Sequence, residues 1–472
     1  MFRFLPVLLT AGLMAQPGRP ALAQEPDAQV HTGSASGIET EQRLLNLLAD
    51  HQFSALAAKL DALPPADAQF YRGILANRKN DSAASARLLE PLVETVHGDK
   101  PREKLLRKTL AEDYLRLSEW NKAAAAYQKL DSSIQLNEDE RDEIEMPLKL
   151  LPLAIAHPPM TVEPCDPFIL PVSRDPLGLI DIPVFVDALS HSWMLDPTAP
   201  FNLMARSTAR EVGIKVSDET AVVRTLTGKP VRMHAAIVPR FTIGGRLTLR
   251  NMTVFVYDDA DYSFPHTHYQ VQGVLGYAAL AALGSVTITN QGTIEVQPAL
   301  QPAASGEATA APAAKEVKDA ISAYAQKLKD QRPKEEDAQS GVPFYLDGDQ
   351  LVVALGRSGE ERNFVIDAGG QQSYLTSRYY LEHSEEFEEI EPQLFAVPGA
   401  EKMPPQPAYE ADSVALPVGE NTVHIHGLQV LTQPLNSAAQ DDVYGVLGID
   451  ALDQFRAYTF DYRTMRFRVR PE

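Results

Sequence analysis

Phe364 to Leu375 reads F-V-I-D-A-G-G-Q-Q-S-Y-L. Its apolar, partly β-branched start predicts a buried strand that delivers one carboxylate, Asp367, into a turn made by Ala368, Gly369 and Gly370. Tyr374-Leu375 then resumes the apolar pattern. Upstream, Trp193 to Met204 reads W-M-L-D-P-T-A-P-F-N-L-M and sets Asp196 at the equivalent place, followed by Pro197 and Thr198. Each aspartate is followed, late in its own half, by an apolar-apolar-Gly element: Gly273-Val-Leu-Gly276 after the first and Gly445-Val-Leu-Gly448 after the second. The separations agree, since Asp196 to Gly273 is 77 positions and Asp367 to Gly445 is 78. Two matched motifs at one separation predict a duplicated unit and two halves of one site.

Outward from each motif the plan repeats. Ile182 to Val186 and Ser192 to Leu195 read as a hairpin leading to Asp196; Leu351 to Leu355 and Asn363 to Ile366 read as the hairpin leading to Asp367. A short helix follows each turn, at Ala205 to Gly213 and from Ser377. In the first half Ala235 to Ile243 and Leu247 to Val256 alternate as strands around a Gly244-Gly245 hairpin turn. Alternating strands close both halves, at Val286 to Ile288 and Thr293 to Val296, then at Tyr458 to Asp461 and Phe467 to Val469.

The rest of the 472 residues exceeds what one core serves and divides by composition. Residues 1–23 have a basic start at Arg3, an apolar stretch from Leu5 to about Ala15 and a small-residue Ala21-Leu22-Ala23 end, the pattern of a secretory signal peptide. Residues 24–37 are polar and read as a flexible arm. Residues 38–157 change to helical periodicity, with apolar positions three and four apart. Residues 166–298 and 341–472 are the two β lobes, joined by an Ala/Pro-rich linker at 299–340 that holds one helical stretch, Glu316 to Leu328. The expected fold class is therefore multidomain α plus all-β. The signal implies export across the inner membrane, with the periplasm of a bacterium as the expected address.

Within the helical region, Leu110 to Tyr127 carries Tyr114, Trp120, Ala123 and Tyr127, which resemble the helix-turn-helix of tetratricopeptide repeats, where a small residue lets two helices approach. An ordinary helical bundle is the alternative. The strand-Asp-turn and apolar-apolar-Gly elements together resemble the retropepsin-like aspartyl peptidases, over about 166–298 and 339–470. That resemblance implies two pepsin-like or retropepsin-like β-barrel lobes in one chain, with Asp196 and Asp367 as a catalytic dyad and no dimer needed to complete it. It also implies substrate-binding or turn-support roles for Gly369, Gly370, Ala368, Pro197, Thr198, Gly276 and Gly448. The family carries Ser or Thr directly after each Asp, and a Gly next. Here those positions are Pro197 and Thr198 in one half, Ala368 and Gly369 in the other.

The function expected from the resemblance is an exported aspartic-type endopeptidase that needs no cofactor, acting on peptide or protein substrates, with the helical domain offering a surface to a partner. A non-catalytic peptide-binding scaffold on the same fold is the alternative, favoured by the altered turns. A net charge of −20 argues against nucleic acid or anionic lipid as partner. Cys165 is the single cysteine, so no intrachain disulfide forms and no thiol chemistry is expected. His266 with His268, and His424 with His426, sit two apart and could share a strand face, but no further ligand stands at metal-binding spacing, so no metal site is expected. No apolar run is long enough to span a membrane.

Overall fold

The computed structural model describes residues 35–470 apart from 97–99, 134–135, 137, 198, 200, 225–229, 265–267, 301–340, 348–349, 357–360, 370–371, 388–390, 398–403 and 436–442. The signal and most of the polar arm, the helix expected in the linker, Thr198, Gly370 and His266 therefore lie outside the described residues.

Helices fill the N-terminal part, as their 3.6-residue periodicity predicts. Pro65–Arg78 packs on Ser82–Leu89, and Lys100–Arg116 packs on Trp120–Ser133. Both helix-helix turns are closed in the same way. Asn80 and Ser118 take positive φ (59° and 58°), and the next amides, of Asp81 and Glu119, return to Ala76 and Tyr114 carbonyls at 2.9 and 2.8 Å. These are left-handed C-terminal caps, which reverse the chain in few residues. Asp81 then caps the following helix through Ala84 N. Close approach inside the first pair needs Gly73, where a Cβ would meet Leu89 Cδ2 at 2.4 Å. The last helix, Glu138–Ile155, leans on the strands Val216–Arg224 and Pro230–Ile243 of the first β half.

Strands with short helices such as Arg206–Glu211 and Ser377–His383 make up the remainder, and the same pairing pattern occurs in both halves. Leu189–Leu195, the strand before Asp196, runs parallel to Gly273–Leu275 with Leu195 opposite Leu275. Gly273–Leu275 also pairs antiparallel with Leu203–Ala205, the strand after the turn. In the second half Arg362–Asp367 runs parallel to Gly445–Gly448, with Asp367 opposite Gly448, and Gly445–Gly448 pairs antiparallel with Tyr374–Leu375. Each glycine strand is thus threaded between the strand that enters an aspartate turn and the strand that leaves it. Close contacts demand glycine here: a Cβ on Gly276 would stand 2.2 Å from the Phe201 carbonyl oxygen, and one on Gly273 2.3 Å from the buried Trp193 ring. Gly276→Ala is accordingly expected to destabilise the protein by about 2–3 kcal/mol, because main chain cannot rotate away as a side chain would; a urea melt beside wild type reads the loss.

The strands extend beyond the sequence expectation. The hairpin before Asp196 is Ile180–Val186 with Leu189–Leu195, and the long hairpin is Pro230–Ile243 with Leu247–Tyr257. Gly244 and Gly245, both at positive φ (59° and 66°), form its turn. The closing strands of the two halves do not stay apart. Ser285–Thr289 pairs antiparallel with Ala457–Asp461, placing Thr287 opposite Thr459, their hydroxyls 2.8 Å apart. Around that pair the order is palindromic: Phe168–Pro171, Thr293–Gln297 and Ser285–Thr289 on one side, then Ala457–Asp461, Arg466–Arg470 and Val342–Asp347 on the other. One continuous apolar core, including Trp193, Phe241, Phe344, Phe364 and Phe460, runs under both halves. No helix among the described residues is long and apolar enough to cross a membrane.

Candidate active site

Each candidate aspartate sits where its strand gives way to a turn. Asp196 extends the ladder through its own amide, which donates to the Leu275 carbonyl at 3.2 Å, and its carbonyl accepts from Ala199 N at 3.2 Å. Asp367 is the last residue of its strand. Gly369 brings the two together: from the position its Cβ would take, Asp196 Oδ2 is 3.0 Å away and Asp367 Oδ1 3.7 Å. A side chain there would crowd the first carboxylate, which would have to shift by a few tenths of an ångström to admit it. Asp196 is buried (4 % exposed) and Asp367 is half-buried. The structure thus joins residues 171 positions apart. Pro197 and Ala368 are both buried in the turns they follow.

Two polar residues support the turns in matching fashion. Six positions after Asp196, Asn202 Oδ1 accepts from Gly276 N at 3.0 Å; six positions after Asp367, Ser373 Oγ accepts from Gly448 N at 2.8 Å. Ser373 Oγ then donates to Asp450 Oδ1 at 2.5 Å, and its amide donates to Asp450 Oδ2 at 2.9 Å. Sequence reasoning missed Asn202, Ser373 and Asp450. The common offset of six from each aspartate was the signal available, but Asn and Ser differ enough in type to hide it.

Two tyrosines come close to the first carboxylate. Burial pushes the Tyr262 and Tyr462 hydroxyls up from the ordinary tyrosine range; Asp261 and then Asp196 add to the rise at Tyr262, Tyr277 and then Asp196 at Tyr462. Both hydroxyls therefore stay protonated at neutral and acid pH.

A second carboxylate pair lies next to the site. Asp181 sits opposite Met194, two residues before Asp196, and is buried with Asp175. Asp175 Oδ1 accepts from the Leu177 and Leu179 amides, both at 2.8 Å. Burial, then the Asp175 charge, pushes the Asp181 carboxyl up to about 6. A raised carboxyl favours the folded state below the ordinary carboxylate range, and that contribution is lost as pH rises through about 6. Asp181→Asn removes the charge without removing volume. It is expected to match wild type in melting temperature near pH 4 and to exceed it near pH 8, read by thermal melts across that range.

The other candidates are not gathered at this site. Cys165 is half-buried, donates to the Asp166 carbonyl at 3.2 Å and is pushed up to about 11 by burial, which keeps it a thiol. His424 lies on the strand Asn421–Ile425 and His426 beyond its end, so they do not share the strand face the sequence suggested. Their rings turn to different partners: His424 Nδ1 to Ser413 Oγ at 3.4 Å and His426 Nδ1 to the Asp412 carbonyl at 2.8 Å. Among the described residues no group of three or more His, Cys, Asp or Glu side chains is arranged to hold a metal ion.

This geometry can be set beside known proteins. Residues 182–279 match the family model described as aspartyl protease. The matched stretch contains Asp196, its turn, Asn202 and Gly276. No curated protein matches the chain. Among solved structures, conglutin gamma, a basic 7S globulin from lupine seeds, is 12% identical with a TM-score of 0.38, over 65% of this chain and 95% of that one. The basic 7S globulin from soybean is 12% identical with a TM-score of 0.39 over the same shares. A retropepsin-like aspartic protease from Rickettsia conorii is 16% identical with a TM-score of 0.20, over 30% of this chain and 94% of that one.

Proposed function

We propose that this chain is an aspartic-type endopeptidase whose two β halves are retropepsin-like lobes contributing one catalytic aspartate each, Asp196 and Asp367. The observation that carries the reading is the convergence of two carboxylates, from matched strand ends, on Gly369. The family match over residues 182–279 supports it for the first half. Carboxylates this close cannot both ionise cheaply, so the pair holds one proton between them at mildly acid pH. The ionised member takes a proton from a water molecule as that water attacks the peptide carbonyl, and the protonated member donates to the developing oxyanion. The roles belong to the pair, and either carboxylate can start with the proton.

In the same reading the signal at residues 1–23 sends the protein to the periplasm, and the TPR-like helices offer a partner or substrate surface. A second reading, a peptide-gripping scaffold without catalysis, is favoured by one observation: Pro197 and Ala368 stand where the family's hydroxyl side chains would link the two turns. Incubation of the purified protein with an unstructured protein substrate between about pH 3 and 7 separates the readings. Cleavage with an acid optimum is expected; binding of peptide with no cleavage at any pH would select the scaffold.

A further inference from the structure

We propose that Tyr462 is a positioning residue that ties the Asp196 turn to the second half of the chain, in place of the hydroxyl that proline cannot supply. The proposal rests on the peptidase reading above for its kinetic consequence, though not for its geometry. Pro197 lacks both an N–H and a side-chain hydroxyl, so its carbonyl is the polar handle left on that residue. Tyr462 Oη reaches it, donating to the Pro197 carbonyl at 3.5 Å across the boundary between the halves. At that length the bond is weak alone, yet its donor is tightly held. Tyr462 is 5 % exposed, its ring meets Phe344 at 5.4 Å and Tyr277 at 6.4 Å between centroids, and its amide donates to the Gly284 carbonyl at 2.8 Å.

The same turn is gripped at a second point. Tyr277 N donates to the Ala199 carbonyl at 2.8 Å, and the Tyr277 hydroxyl in turn donates to Asn80 Oδ1 on the helical region. Asymmetry between the halves supports a dedicated role. Asn290 N donates to the Arg456 carbonyl at 3.0 Å, the counterpart of the Tyr462 to Gly284 bond, so Asn290 holds the position in the first half that Tyr462 holds in the second. The tyrosine stands on the side that faces the proline turn. The altered turn of Asp196 is thus braced from outside itself, by the other half at Pro197 and by its own glycine strand's successor at Ala199.

Tyr462→Phe removes the donor and keeps the ring. Tyr458→Phe, a buried tyrosine on the adjoining strand, is the matched control. Two readouts are taken: kcat and KM on a cleaved peptide, and the carboxyl titration of Asp196 and Asp367 followed by NMR on ¹³C-labelled aspartate, which needs no turnover. Tyr462→Phe is expected to lower kcat about tenfold with KM little changed, as a small misplacement of a reacting group does, and to shift the Asp196 titration. Tyr458→Phe is expected to leave both at wild-type values. If Tyr462→Phe does not fold, p-aminophenylalanine and p-methylphenylalanine at 462, alike in size, make the same comparison, the amino variant retaining wild-type behaviour. Unchanged kcat and titration in a folded donor-less variant would overturn the proposal, as would equal changes in the Tyr458 control. A wild-type protein that cleaves nothing removes the peptidase reading, and the titration alone then decides whether Tyr462 positions Asp196.

Discussion

Asp367→Asn is expected to lower kcat/KM by about 10²–10⁴-fold, the contribution a positioned general acid-base group makes, while leaving the fold intact. The substitution is isosteric, and Asp367 is half-buried at a strand end, so little packing changes. Asn can neither take a proton from water nor carry the proton the pair must hold. On the proposed dyad, Asp196→Asn is expected to lower cleavage by a comparable factor. The double variant should therefore be hardly worse than either single one, the non-additivity that marks residues sharing one step. Progress curves on an unstructured substrate, beside matched thermal melts, check all three. Cleavage that survives both single substitutions would remove the dyad.

Asp347→Ala carries the largest expected stability effect, about 3 kcal/mol, the lower end of what removing one member of a buried ion pair costs. Asp347 ends the strand Val342–Asp347 of the second half, and reaches the helical region twice: Arg78 Nη2 at 2.9 Å and His51 Nδ1 at 2.9 Å. Arg78 is 8 % exposed and His51 7 %, so without Asp347 a buried guanidinium loses its 2.9 Å carboxylate partner, while Glu112 stands farther off at 3.6 Å. Neighbouring contacts identify what would loosen. Phe53 of the helical region packs on Tyr345 with centroids 4.7 Å apart, and Tyr345 and Ala354 belong to the helical core cluster.

The pH dependence has a definite sign. Burial alone would raise the Asp347 carboxyl, but the Arg78 charge and the His51 hydrogen bond outweigh it and hold the group well below the ordinary carboxylate range. A depressed carboxyl contributes stability above its unfolded value and loses it as pH falls through the folded one. Wild type is therefore expected to lose part of its stability below about pH 4, and Asp347→Ala to lack that part of the pH dependence. Urea melts at neutral and acid pH measure both the offset and its pH dependence.

Much of this molecule was legible in the sequence because the relevant signals are local. A strand ending in Asp, a turn of small residues and an apolar-apolar-Gly strand each span a few positions, and their period-2 or glycine character follows from backbone sterics. Asn80 and Ser118 gave less away: a left-handed cap in a polar turn has several acceptable residues. The supports of the two turns, Asn202 and Ser373, escaped because either side-chain oxygen satisfies the same backbone amide, so chemistry was kept while residue type was not.

The sequence by itself determined the helical beginning, the repeated strand-Asp-turn and apolar-apolar-Gly elements, and Asp196 and Asp367 as the candidate pair. Tertiary structure alone decided that those aspartates meet at Gly369, that Tyr462 reaches the Pro197 carbonyl, and that Asp347 binds Arg78 and His51. The reason is one of range. Periodicity and turn chemistry report on neighbours along the chain, whereas a contact across 171 or 265 positions depends on how two halves dock through Thr287 and Thr459, which no local pattern encodes.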